Sequence, residues 1–215
     1  MSCRGRFVVL EGTDGSGTTT QCERLVGTLQ KLGVAALATR EPTSGPVGQL
    51  LRAALEKRLA RDAERQATLD WKTFALLFAA DRTDHVSTEI APALAEGTWV
   101  ISDRYDLSSL IYQSLTAPLP AAALPWIREL NAAALRPDLV VVLDVGAEVA
   151  AARRRARGGP EELFERRELQ AKLAVAYLEA EHFAPSDQLA HLDGTLAVSA
   201  VSDRLLALVR AKFQI

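Results

Sequence analysis

Leu10-Glu11-Gly12-Thr13-Asp14-Gly15-Ser16-Gly17-Thr18-Thr19-Thr20-Gln21 is the stretch on which the reading of this chain turns. Before it lies an apolar run, Phe7-Val8-Val9-Leu10, that suits a buried strand. After it, Cys22, Leu25, Val26, Leu29 and Leu32 recur at helical spacing. Between strand and helix, Gly12 to Thr19 fits the frame G-x-x-x-x-G-x-T of a phosphate-binding loop. Glycines let successive backbone N–H groups curl about phosphate oxygens, and the start of the helix adds its positive dipole. Thr19 holds the position whose hydroxyl meets phosphate-bound Mg²⁺. The residue before it is normally lysine, and here it is Thr18.

A length of 215 residues with 48% hydrophobic and 24% charged side chains suits one folded domain, residues 1–215, with a substantial core. A formal net charge of −2 gives no global basic field, so a nucleic-acid polymer is not an expected partner. Cys3 and Cys22 lack metal-ligand spacing and are too few for a disulfide framework. No apolar run approaches a membrane span or a secretory signal, so a cytoplasmic protein is expected.

Outward from the loop, the pattern predicts strands at 7–10, 34–38, 99–102, 139–144 and 189–192. Helices are predicted at 18–32, 47–55, 67–95 with a bend near Pro92, 107–113, 126–135, 147–157, 165–181 and 200–213. Residues 56–66 read as a charged connection and 116–126 as a Pro- and Ala-rich loop. Strands alternating with helices imply an α/β three-layer fold, a five-stranded parallel sheet with helices on both faces. Ligands of such sheets bind beyond the strand carboxyl ends. The phosphate loop, Arg40 and Asp103-Arg104 all fall there.

With these segments in view, the chain resembles the thymidylate kinases, P-loop enzymes that phosphorylate dTMP with ATP. The resemblance is carried by EGTDGSGTTTQ (11–21), TREP (39–42), LLFAADR (76–82), GTWVISDRYDLSSLIYQ (97–113), RPDLVVVLDV (136–145) and ARRRARGG (152–159). It implies that Gly12, Thr13, Asp14, Gly15, Ser16, Gly17, Thr18, Thr19 and Thr20 bind ATP, with Thr19 and Asp103 near Mg²⁺. It implies that Phe78 stacks on the thymine and Arg82 recognises it. Their i, i+4 spacing on one helix face is compatible with that, although periodicity alone favours a core Phe78 and a solvated Arg82. Arg104 and Arg52 are implied at the acceptor phosphate, Asp14 near the sugar 3′ hydroxyl, Tyr112 against the 2′ position and Ser109 near the base.

Arg153, Arg155 and Arg157 are implied to lie in a lid, about 153–166, that closes over ATP and shields the transferring phosphoryl group, the loop itself carrying no arginine. A plain cationic helix end would look the same in sequence. A homodimer is implied as well. The chain departs from the family pattern at Thr18, at Gly159-Pro160-Glu161-Glu162-Leu163, which lacks an acid–arginine pair, and at Gln113-Ser114-Leu115, which replaces a glycine-rich turn. The leading expectation is therefore a dTMP kinase with an altered loop. A kinase for another nucleotide or nucleoside, and a nucleotide-binding protein impaired in catalysis, stand as alternatives.

Overall fold

Short, mostly apolar segments become the strands, and the computed structural model describes residues 4–56, 69–158, 163–164 and 166–215. The strands are β1 (Phe7–Glu11), β2 (Ala36–Arg40), β3 (Trp99–Asp103), β4 (Leu139–Asp144) and β5 (Leu189–Asp193). They pair in parallel in the order β2-β3-β1-β4-β5, so the phosphate loop leaves the central strand. β1 and β3 are buried along their whole length, as strands covered on both faces must be.

Side chains alternate across the sheet and divide the interior into two cores. Val8, Leu10, Ile101, Val141 and Leu143 pack against α1 (Thr18–Lys31) and α10 (Val198–Phe213). Phe7, Val9, Val100, Val140 and Val142 pack against α5 (Asp106–Thr116), α6 (Pro120–Leu130) and α8 (Arg167–Leu178). Each fully buried Val or Leu of this kind contributes about 1.5–3 kcal/mol. A smaller cluster, Leu51, Ala54, Leu55 and Phe74, joins α2 (Pro46–Leu55) to α3 (Trp71–His85).

Three of the differences from the predicted pattern matter most. The second strand lies at Ala36–Arg40 rather than 34–38, which carries Arg40 to the strand end beside Asp103. The helical region ending at Ala95, expected to bend near Pro92, widens in the turn just before that proline. α3 passes through a wider turn, Val86–Ile90, where Ala91 N–H reaches back to the Val86 carbonyl, and continues as α4 (Ala91–Ala95). Proline has no N–H and crowds the carbonyl four residues back, so the preceding turn opens. The third shift is α6, which occupies much of the expected 116–126 loop. Pro120 sits at its start, where a missing N–H costs little, and the burial of Leu124 and Ile127 outweighs the bond lost at Pro125.

Between α6 and the carboxyl-terminal helix α10 lie α7 (Ala147–Arg157), α8 and the short α9 (Ala180–Phe183). Cys22 is a core thiol on α1. Of the expected connection at 56–66, all but Glu56 falls outside the described residues, as do Gly159 to Glu162 and Glu165 of the expected lid.

Candidate active site

The loop after β1 has a shape that only glycine allows at two points. Gly12 and Gly15 have φ of 153° and 93°. A Cβ on Gly12 would lie 2.6 Å from Ser16 Oγ, and one on Gly15 would lie 2.5 Å from the Ala150 carbonyl oxygen. The Ser16 N–H donates to the Thr13 carbonyl at 2.9 Å and closes the turn. Gly17, also left-handed, precedes α1, and no side chain caps that helix, so its first-turn N–H groups face the loop. Thr13 Oγ1 and Ser16 Oγ are buried without hydrogen-bond partners among the described residues. Such hydroxyls suit an anion that arrives with the ligand.

Beyond the loop lies a cavity of about 550 Å³. Its lining includes Asp14 to Gln21, with Arg153, Arg154 and Arg157 from α7. Arg155 is exposed and stands outside this lining, because it lies roughly 200° around the helix from Arg153. Arg154 was passed over and is the best anchored of the group: Nη1 donates to the Asp14 carbonyl at 2.5 Å and to Gln170 Oε1 at 3.0 Å. Arg153 Nη1 donates to the Ser16 carbonyl at 3.2 Å. A helical-wheel reading of 153, 154 and 157 as one face would have found the trio.

A second cavity, about 190 Å³, is lined by Arg52, Phe78, Arg82, Ser109, Tyr112, Gln113 and Phe164 among others. All the acceptor-side residues singled out from the sequence meet here. Arg82 is not the solvated charge that periodicity allowed. It is 2% exposed; Nη2 donates to Glu41 Oε2 at 2.7 Å, the Tyr105 carbonyl at 3.1 Å and Ser109 Oγ at 3.0 Å, and Nη1 donates to Asn131 Oδ1. Its Nε is buried and has no partner among the described residues. Arg52 Nη2 donates to the Pro42 carbonyl. Glu41, Asn131 and Gln113 were not singled out from sequence. Gln113, 1% exposed, has an unpartnered Oε1 beside Ser109, one helical turn before it.

Arg104 ties the two cavities together. It follows β3 with φ of +71°, a left-handed conformation unusual for a residue with a Cβ. Its N–H bond to the Leu10 carbonyl, 2.9 Å, and the Ser102 Oγ bond to its own carbonyl, 2.7 Å, hold that conformation. Nη2 pairs with Asp14 Oδ1 at 2.6 Å, and Nη1 donates to Ser108 Oγ and Tyr177 OH, each at 3.0 Å. Tyr112 stacks under the guanidinium at 5.4 Å and donates to Asp14 Oδ2 at 3.2 Å.

Behind Arg104 sits Glu11, fully buried, whose carboxyl accepts from Tyr105 N–H at 2.9 Å, Ser108 Oγ at 2.6 Å and Tyr177 OH at 3.2 Å. Burial raises its pKa to about 7 against the opposing pull of Arg104 and these hydrogen bonds.

Asp14, Thr19, Arg40, Asp103 and Arg104 line both cavities, so one wall serves two ligands. At that wall Thr19 Oγ1 donates to Asp103 Oδ2 at 2.5 Å, while Asp103 Oδ1 is buried without a partner among the described residues. An acidic oxygen left unpaired beside a hydroxyl fits a hard divalent cation such as Mg²⁺. No cluster of three or more His, Cys, Asp or Glu able to hold a metal occurs among the described residues. The pair therefore suits an ion that takes its other ligands from phosphate and water.

The family model described as Thymidylate kinase matches residues 10–204. A probable thymidylate kinase of Pyrococcus abyssi is 39% identical over 96% of this chain and 97% of its own length. Thymidylate kinases of Thermomicrobium roseum and Nitrobacter winogradskyi are 39% and 36% identical, over 94% and 95% of this chain and 93% and 91% of theirs.

Proposed function

The chain belongs to the thymidylate kinase family, and we propose that it transfers the γ-phosphoryl group of ATP to dTMP, giving dTDP. The observation that carries this reading is the wall shared by the two cavities. A donor in the loop-side cavity and an acceptor in the other would meet across Asp14, Thr19, Asp103 and Arg104. Direct transfer needs in-line placement and charge stabilisation rather than a strong base, since the acceptor phosphate is already anionic.

In this reading ATP lies along Gly12 to Thr20, its phosphates on the loop N–H groups and on the hydroxyls of Thr13 and Ser16. Thr19 and Asp103 hold Mg²⁺, which neutralises charge on the donor phosphates when bound. Arg104 and Arg52 align the acceptor phosphate, while Arg153 and Arg157 approach the donor phosphates from α7. Phe78 stacks on the base. Arg82, fixed by Glu41 and Asn131, presents Nε and the packed Ser109 to the base edge. Asp14 meets the 3′ hydroxyl, and Tyr112, pinned between Asp14 and Arg104, closes the space a 2′ hydroxyl would need.

A homodimer and a cytoplasmic site of action belong to the same reading. Among the described residues no helix is long and apolar enough to cross a membrane.

The test is ADP release coupled to chromatographic identification of dTDP, with dUMP and thymidine as competing acceptors. Turnover that needs dTMP and yields dTDP supports the reading. ATP binding without transfer to any of the three acceptors overturns it.

A further inference from the structure

Thr18 takes from the loop the one cation that its frame normally supplies, and Thr18 itself is buried, 6% exposed. The charge near the donor phosphates must then come from elsewhere, and α7 offers it. Two successive arginines of that helix donate to two carbonyls of the loop, Arg154 to Asp14 and Arg153 to Ser16.

Arg154 is held from two sides. One side is the loop. The other is Gln170 on α8, itself 1% exposed, whose Oε1 accepts from Arg154 at 3.0 Å. The Gln170 amide nitrogen in turn donates to the Phe164 carbonyl at 2.9 Å and to Asp14 Oδ2 at 3.3 Å. The arginine stem also crosses the glycine that shapes the loop, since a Cβ on Gly15 would lie 3.2 Å from Arg154 Cγ. A guanidinium fixed in this way needs little rearrangement to face phosphate oxygens. Arg153 has the longer bond to the loop, 3.2 Å.

We propose that Arg154 is the positioned cation that replaces the phosphate-loop lysine, delivered from α7 across the loop instead of from within it. This rests on the kinase reading above.

The experiment is a double-mutant cycle on the full chain: wild type, Thr18→Lys, Arg154→Met and the pair, each assayed for kcat with ATP, Mg²⁺ and dTMP and for ATP affinity by calorimetry. Arg154→Met should lower kcat by about 10²-fold. The ratio of the Thr18→Lys effect on the Arg154→Met background to its effect on the wild type should be at least about tenfold in favour of the former, because coupled residues depart from additivity. A purely structural arginine would not be rescued by a lysine placed elsewhere. Equal effects of Thr18→Lys on both backgrounds overturn the proposal, as does an Arg154→Met enzyme with unchanged kcat. If Arg154→Met does not fold, Arg154→Gln takes its place in the cycle, keeping a hydrogen-bond donor without the charge. Should no form transfer phosphate to dTMP, the kinase reading fails, while the cycle in ATP affinity still decides the role of Arg154.

Discussion

The two halves of the site are prepared in opposite ways. On the acceptor side the charged groups already have partners inside the protein: Arg82 with Glu41, Asn131 and Ser109, and Arg104 with Asp14, Ser108 and Tyr177. On the donor side Arg153 and Arg154 are tied to loop carbonyls, but the loop's own hydroxyls, Thr13 Oγ1 and Ser16 Oγ, are buried without partners among the described residues. A prewired network fixes distances and so discriminates shape. Unpaired buried hydroxyls gain their bonds only when phosphate arrives, so they give affinity for a charge rather than for an outline.

The largest effect that could break this contrast is on stability. Arg82→Met leaves the Glu41 carboxylate buried beside His85 without its cation, and should cost about 3–5 kcal/mol in urea unfolding. A loss confined to dTMP binding, with full stability, would show that the network is not prewired. Arg104→Met should lower kcat/KM for dTMP by about 10²–10³. The KM for ATP should stay near the wild-type value, and a loss that falls mainly on ATP would dissolve the division between the halves.

Glu11 sharpens the comparison through pH. The folded protein binds this proton up to about pH 7, whereas an unfolded carboxyl releases it near its ordinary 4.5. Between those values the folded state carries more protons, so stability falls as pH rises through that window, by up to about 3 kcal/mol, and is level above it. The Glu11→Gln protein should lack that slope when the two are compared by denaturant midpoint at each pH. The smallest effect belongs to Arg155→Ala on the solvent side of α7, which should change kcat and the KM for ATP by less than about twofold. A larger loss there would return Arg155 to the donor side.

What the sequence made legible followed from periodicity and from spacing. The central strand, the loop and the helix after it could be read because glycine positions and apolar alternation are local signals. The parallel sheet followed from strands and helices taking turns. The commitments of individual side chains were hidden. Nothing within a few residues of Arg82 reveals Glu41 or Asn131, since those contacts form across the fold. Glu11 stood inside the quoted motif, yet its burial and its bonds to Tyr105 and Ser108 depend on the packing of α5 over β1. The Arg153-to-Arg157 run was legible as charge but was not resolved into faces, which is why Arg155 was chosen and Arg154 missed. The helix at Pro120–Leu130 was lost because proline outweighed burial in a local reading.

The wall that serves both cavities carries a consequence for inhibition. Because Asp14, Thr19, Arg40, Asp103 and Arg104 border both spaces, the two spaces are neighbours separated by no more than one layer of side chains. A single molecule with a nucleoside at each end and a phosphate chain between them would occupy both at once. Its second end would dock at an effective concentration set by the tether rather than by the solution, typically in the millimolar range for a short linker. Tether length then becomes a ruler: the chain that binds tightest measures the separation of the two nucleosides in solution.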